Sequence, residues 1–282
     1  MACTEIRLFS PAKLNLFLHV TGRRANGYHE LQTLFRLIAR SDVMQFAQQK
    51  SGVLSLHCAG PRAHGLPMDN NLVLQAARAL RDFAGDLTLS AKINLHKILP
   101  QGAGLGGGSS NAATTLVALN ELWQLNLGQQ QLCEIGVSLG ADVPVFVAGR
   151  TAWGEGIGEK LTPVKLPACW YLVVTPACEV ATEAIFSHQQ LTRNSPTIKM
   201  SDFLAGRSRN DCEKVTKLLY PEVGKALDYL EKFAKPRMTG TGSSIFAEFQ
   251  TEADALAVQA KLPKSLQSFV AQGVNNLAEI DG

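Results

Sequence analysis

The chain has 282 residues, 46% of them hydrophobic and 18% charged, a balance that suits a folded protein with a proper core and excludes a disordered one. Its length exceeds that at which a single core usually stays undivided, so two packed lobes are expected. The formal net charge is only +3, from 27 basic against 24 acidic residues with no dense basic run, so nucleic acid is not an expected partner.

Residues 6–20 are rich in apolar, β-compatible types and run through Arg23-Arg24, read as a solvated turn, to Ala25-Asn26-Gly27-Tyr28. Asn-Gly is a tight-turn signal, so the segment reads as strand, turn and further extended chain. Residues 54–57 and 87–95 read as further strands, the second alternating well enough to bury one face. Between them Asn70 or Asn71 can cap a helix whose Leu72, Val73, Ala76, Leu80 and Phe83 recur at helical spacing, with Gly85 ending it. Beyond a glycine-rich segment, Ala112, Ala113, Leu116, Val117, Leu119 and Trp123 form a second helical stripe, and Leu132, Ile135 and Leu139 a third.

In the second half, 170–174 reads as a strand, 221–234 as a helix with Pro221 in its first turn, and 245–249 as a strand. Thr251 caps a helix running through Leu262, with Asp254 placed for a capping-box return, and 268–271 is extended. Mixed strands and helices predict an α+β fold of helices on antiparallel sheet. The Pro/Gly-bearing stretch 149–167 is where the chain is expected to leave its first lobe, giving lobes 1–158 and 159–282.

Six cysteines, at 3, 58, 133, 169, 178 and 212, lack the CxxC spacing of zinc or redox sites and are expected to be reduced and packed. Glu5 and Arg7 precede any apolar stretch, and no run of about 18 uncharged apolar residues occurs. Neither secretion nor a membrane is indicated, and the cytoplasm is the expected location.

The segment Pro100-Gln101-Gly102-Ala103-Gly104-Leu105-Gly106-Gly107-Gly108-Ser109-Ser110-Asn111 lies between an expected strand and an expected helix. Five glycines let backbone N–H groups approach phosphate oxygens, and the helix that follows offers its positive end to an anion. Ser109 and Ser110 either supply oxygens to a phosphate-bound magnesium ion or cap the helix. Gly102, Gly104 and Gly107 also satisfy GxGxxG, but the acidic residue about 20 positions on that a dinucleotide site wants is missing, since Glu121 falls inside a helix. No GxxxxGK[ST] and no protein-kinase motif set is present.

Three separated motifs together resemble the GHMP kinases, the superfamily of galactokinase, homoserine kinase and mevalonate kinase. They are Ser10-Pro11-Ala12-Lys13-Leu14-Asn15-Leu16, the glycine segment, and Met238-Thr239-Gly240-Thr241-Gly242-Ser243-Ser244. Within the superfamily, SPAKLNLFLHVTGRRANGYHELQTLF, LPQGAGLGGGSSNAA and LGADVPVF resemble the branch acting in the non-mevalonate isoprenoid pathway. That resemblance implies ATP and Mg2+ as cofactors, transfer of the γ-phosphoryl group to the 2-hydroxyl of a cytidine-diphosphate-linked methylerythritol, and a monomer or homodimer. It also implies a ribosomal protein S5 domain 2-like N-terminal lobe and a ferredoxin-like C-terminal lobe.

Asp142 then matches the catalytic aspartate and Lys13 the lysine that keeps it ionised; on residue chemistry alone Asp142 is a turn or cap aspartate and Lys13 a snorkelling strand lysine. Asn71, Lys97 and Asn111 match positions near adenine and phosphates. Tyr28 and His29 match the cytidine pocket and Phe186 can give its opposite aromatic face, although from the residues alone a packed hairpin end and a core phenylalanine are the commoner readings. Asn15, Phe35, Thr182, Thr239, Gly240 and Gly242 join the substrate side by resemblance, and the metal ligands stay unknown. The rival readings are another GHMP kinase acting on mevalonate-like, amino-alcohol or sugar substrates, and a catalytically silent nucleotide binder.

Overall fold

The structure, a computed structural model, describes residues 5–25, 27–49, 52–66, 68 and 70–280. In chain order the strands are β1 (Glu5–Arg23), β2 (His29–Gln48), β3 (Leu54–Ala59), β4 (Ala91–His96), β5 (Ala152–Gly156), β6 (Lys160–Pro163), β7 (Trp170–Thr175), β8 (Arg237–Met238), β9 (Ile245–Phe249) and β10 (Gln267–Val274). The helices are α1 (Leu72–Ala84), α2 (Gly107–Leu122), α3 (Gln129–Leu139), α4 (Val143–Ala148), α5 (Thr182–Ser187), α6 (Met200–Leu204), α7 (Glu213–Leu219), α8 (Pro221–Leu230) and α9 (Glu252–Gln259).

Strand β2 organises the molecule. Its first half pairs with β5, its second half with β4, and β1 lies antiparallel along most of its length. The order β3-β4-β2-β10-β7-β9-β8 joins everything into one continuous sheet, because the last residues of β10 pair with β2 through Gly273 and Val274. Among the described strand pairs only β3 and β4 run parallel, and the connection between them carries α1.

Helices α1 to α4 cover the first part of the sheet. Val73, Leu80, Leu116, Leu119 and Ile135 pack there with Met44, Phe46 and Ile93. A second core gathers Leu172, Val174, Ile185, Val215, Leu227 and Ile245, and it also takes Leu18 and Val20 from the far end of β1. A third, with Leu14, Phe17, Leu34, Ile38, Tyr171 and Phe246, lies where the two parts of the sheet meet. The α+β expectation and the two-lobed arrangement are thus met, with β1 and β2 belonging to both lobes.

The ends of α1 follow local chemistry. Asn71 accepts from the Val73 N–H at 3.0 Å, and Gly85 closes the helix at φ 68°. The last turn faces outward, leaving Phe83 51% exposed although it continues the apolar stripe. The strand expected over 87–95 begins only at Ala91, because the Asp86 carboxylate accepts from the Thr88 N–H and hydroxyl and makes a turn there, with Leu87 exposed. The expected helix 221–234 stops at Leu230 and finishes as a hydrogen-bonded turn through Ala234; the expected run from Thr251 through Leu262 stops at Gln259.

A boundary between 158 and 159 falls inside the turn of the β5–β6 hairpin, whose strands pair from Ala152 with Pro163 to Glu155 with Lys160. The chain then passes from β6 to β7 through residues 164–169. Arg36, fully buried on β2, pins this crossing by donating to the Pro167 and Gly273 carbonyls and to Asn275 Oδ1. Asn26 lies outside the described residues; its neighbour Gly27 has φ 90°, as the tight turn requires. Among the described residues no helix is long and apolar enough to cross a membrane, and the five described cysteines are free, Cys3 lying outside them.

Candidate active site

A cleft of about 600 Å³ is walled by β1, by residues 100–109, by the start of α2, by α5 and by the turn 240–242. Three of the sequence motifs converge on it. Alternation along β1 puts Lys13 and Asn15 on one face. The ammonium of Lys13, 2% exposed, donates to Asn15 Oδ1 at 2.5 Å and to the Gly104 carbonyl at 3.1 Å, and lies 3.1 Å from Asp142 Oδ2. Two of its donors are thus hydrogen-bonded, and the carboxylate is its counter-charge.

Asp142 stands directly before α4 but makes no side-chain cap bond. Its carboxylate is one-third exposed and turned to Lys13, which disposes of the reading as a cap aspartate. Lys13 likewise does not snorkel outward. The pair sets a carboxylate at the cleft wall against a buried ammonium.

The glycine segment is shaped by its neighbours. Gly102, Gly104 and Gly106 have φ of 59°, 72° and 72°, a region costly to other residues. A Cβ on Gly104 would stand 2.4 Å from the Thr239 carbonyl oxygen, and one on Gly106 would meet the Phe146 ring at 2.8 Å. Backbone bonds latch the segment on both sides, from the Lys13 N–H to Leu105 O at 3.0 Å and from the Ser244 N–H to Ala103 O at 3.1 Å.

Gly106 occupies the N-cap of α2 and carries no side chain, so the first N–H groups of a 16-residue helix open onto the cleft at Gly107, Gly108 and Ser109. Neither serine caps the helix. Ser109 lies on the cleft wall, whereas Ser110 is fully buried and accepts from the Ser10 hydroxyl at 2.8 Å. Ser110 therefore has no access to a metal ion in the cleft.

The remaining expected residues divide in the same way. Asn71, Lys97, Asn111, Phe35, Thr182, Phe186, Gly240 and Gly242 line the cleft, together with Pro100, Gln101, Gly102, Ala103 and Leu105. Thr239 sits behind the wall, where its hydroxyl accepts from the Asn15 N–H at 2.9 Å and donates to Gly104 O at 3.3 Å, tying β1, the glycine segment and the third motif together. Tyr28, 58% exposed, and His29 are beside the cleft, not in its wall. His29 reaches it through Phe186, its ring centroid 5.1 Å away at a 30° interplanar angle.

Arg193 fixes the state of His29. Its guanidinium donates to the carbonyls of Phe186, His188 and Leu191, and its Nε donates to His29 Nε2 at 3.1 Å. Arginine only donates, so the neutral imidazole carries its proton on Nδ1. Burial first, then the charges of Arg193 and Arg23, hold the ring below the usual histidine range.

Sequence reasoning missed Asp42, Thr33 and Arg193. Thr33 accepts from Asn15 Nδ2 at 2.9 Å and orients it toward Lys13. Asp42 stands in the buried row of β2 with Met44 and Phe46, and that alternation was the available signal: a carboxylate in a core row must have buried partners. Thr241, read only as a departure from the third motif, lines the cleft and shares a hydrogen bond with Thr182 at 3.1 Å.

Comparison with known proteins decides the family. Residues 71–150 match the GHMP kinases N terminal domain, and residues 198–268 match the GHMP kinases C terminal model. A protein of Vibrio cholerae serotype O1 named 4-diphosphocytidyl-2-C-methyl-D-erythritol kinase is 52% identical over 266 residues, 94% of this chain and 90% of the relative. The chain belongs to the GHMP kinases. A relative of the same name from Marinobacter nauticus is 50% identical over 97% of this chain and 96% of its own length. Among solved structures, a 4-(cytidine 5'-diphospho)-2C-methyl-D-erythritol kinase superposes with a TM-score of 0.81 at 30% identity, covering 96% of this chain and all of that one. The mevalonate kinase of Methanococcus jannaschii, with a TM-score of 0.69 at 16% identity over 96% of this chain, shares the fold.

Proposed function

We propose that this GHMP kinase transfers the γ-phosphoryl group of ATP to the 2-hydroxyl of 4-diphosphocytidyl-2-C-methyl-D-erythritol, a step toward isoprenoid precursors. The observation that carries the reading is the Lys13–Asp142 pair, 3.1 Å apart, in the same cleft as the open N-terminus of α2. The names of the relatives with half or more of their residues in common support this substrate.

In this reading the N–H groups of 107–109 and the backbone of 102–106 take the phosphates, with Lys97, Asn71 and Asn111 beside them. Asp142 accepts or orients the proton of the attacking hydroxyl, and Lys13 pairs with the carboxylate and steadies charge as it develops. Catalysis is positioning and electrostatics, and no phosphoenzyme is required. The Nδ1–H of His29 suits the acceptor edge of cytosine, and the Phe186 ring offers a stacking face. Tyr28, Asn15, Phe35, Thr182, Thr239, Gly240 and Gly242 complete or shape the substrate side.

Magnesium fits such a cleft through the triphosphate itself. Among the described residues no group of three His, Cys, Asp or Glu side chains could hold a metal. The Ser109 hydroxyl and the part-exposed Asp142 carboxylate are two oxygen donors on the wall, enough for a hydrated, phosphate-bound magnesium ion. When bound it would supply charge neutralisation on the phosphates. A cytoplasmic setting, and a monomer or homodimer, belong to the same proposal.

An ADP-release assay offering the cytidylylated methylerythritol beside mevalonate, homoserine and galactose tests it. Turnover of the first alone is expected. Turnover of only one of the other three would replace the substrate assignment.

A further inference from the structure

Beneath the glycine segment lies a chain of five buried polar side chains. Asp42, fully buried, accepts through Oδ1 from the backbone N–H groups of Ile98 at 2.7 Å and Leu99 at 2.9 Å. Through Oδ2 it pairs with Lys97 Nζ at 2.5 Å and accepts from Asn111 Nδ2 at 3.0 Å. Asn111 donates as well to the Ser10 hydroxyl at 2.8 Å, and that hydroxyl donates to Ser110 Oγ. Residues 97–99 enter the glycine segment, and residues 110 and 111 leave it. One carboxylate thus holds both ends.

The consequence falls on Lys97. It is 2% exposed, yet it lies on the cleft wall, and its ammonium would stand 3.0 Å from a Cβ placed on Gly107. Among the described residues Asp42 is the acceptor the structure gives it, so two of its three donors remain for an acceptor arriving in the cleft. A buried ammonium needs a counter-charge to offset its lost hydration and a fixed direction to be useful.

We propose that Asp42 is a positioning residue for ATP: it aims the Lys97 ammonium at the nucleotide and clamps the two ends of the phosphate segment at the right separation. It touches neither substrate. The inference rests on the kinase reading, but ATP affinity tests it directly, apart from turnover.

The experiment titrates ATP by calorimetry into the full-length wild type, Asp42→Asn, Lys97→Met and the double variant, and measures both KM values where turnover is present. Asparagine keeps the Oδ1 acceptor for the two backbone N–H groups and removes the charge. Asp42→Asn is expected to weaken ATP binding by about tenfold, the cost of misdirecting one charge-assisted hydrogen bond. The KM for the cytidylyl substrate should stay within about twofold, a split that a merely structural loss would not produce.

Because Asp42 acts through Lys97, the double variant should bind ATP no more weakly than Lys97→Met. That comparison also stands if Asp42→Asn alone fails to fold, since the double variant leaves no unpaired buried charge. Wild-type affinity in Asp42→Asn, equal losses for both substrates, or a double variant whose loss is the product of the two single ones would each overturn the proposal. A wild type that binds ATP but phosphorylates none of the alcohols would sink the kinase reading and leave this test intact.

Discussion

At the scale of single residues, the cleft depends on two charged side chains whose environments differ. Lys13 is buried with two hydrogen bonds and a counter-charge, whereas Asp142 is part-exposed and unburdened by its helix. Asp142→Asn is therefore expected to lower kcat by about 100- to 10,000-fold, the range for losing a general base. Folding should lose only about 1–3 kcal/mol, since the aspartate side is open to solvent although Lys13 is buried. Urea unfolding alongside steady-state kinetics checks both halves. A folded variant with full turnover would remove Asp142 from the base role.

His29 carries a pH signature with a definite sign. Its folded pKa is lowered, so the folded ring stays neutral while the unfolded ring begins to protonate near the ordinary value of 6.5. Its contribution to stability is flat above pH 6.5 and falls as pH drops through that value toward the folded pKa. Cytidylyl-substrate KM should likewise be constant from pH 8 to 6.5 and rise only below. In Arg193→Met the rise should begin at higher pH, because a positive neighbour and the donor to Nε2 are both gone. NMR titration of the ring separates this from a change in folding.

At the scale of elements, the glycine segment and the third motif are one object. The Gly104 backbone comes so near the Thr239 and Gly242 carbonyls that any side chain would push the motifs apart. Gly104→Ala should cost about 1–2 kcal/mol from the left-handed backbone alone. The 2.4 Å approach to Thr239 O should also raise the KM for ATP, so both effects are expected in one variant, read by calorimetric melting and kinetics.

Elements with strong local signals were legible. Asn71 and Gly85 bracket α1, Pro221 opens α8 and Thr251 caps α9, all where residue chemistry put them. The short elements α5, α6, α7 and β8, of six, five, seven and two residues, are too brief for periodicity to register. At 87–90 the apolar alternation lost to the Asp86–Thr88 turn, a local hydrogen-bond choice that a hydrophobic pattern cannot show.

At the scale of the whole molecule, the two lobes share β1 and β2 and are closed by the return of β10. Arg36 sits at that crossing with three hydrogen bonds to both sides. Arg36→Met should cost about 2–4 kcal/mol by leaving those acceptors unpaired, and denaturant unfolding should show it without a matching change in either KM. Its role was invisible beforehand, because an arginine in a strand reads as surface until the strand is known to lie between two cores.

Sequence by itself determined that a glycine-rich anion loop precedes a helix, that the segments make an α+β protein, and, through three separated motifs, that the chain resembles the GHMP kinases. Those are properties of local composition and of order along the chain. Only the tertiary structure decided that Asp142 answers to Lys13 and not to its own helix, that Ser110 is buried while Ser109 faces the cleft, and that Asp42 buckles both ends of the loop. Each of those depends on a partner more than 50 residues away or on which side of a turn a side chain falls. Neither is encoded in spacing. Both are settled when burial forces every polar group to find the partner that the fold brings within 3 Å.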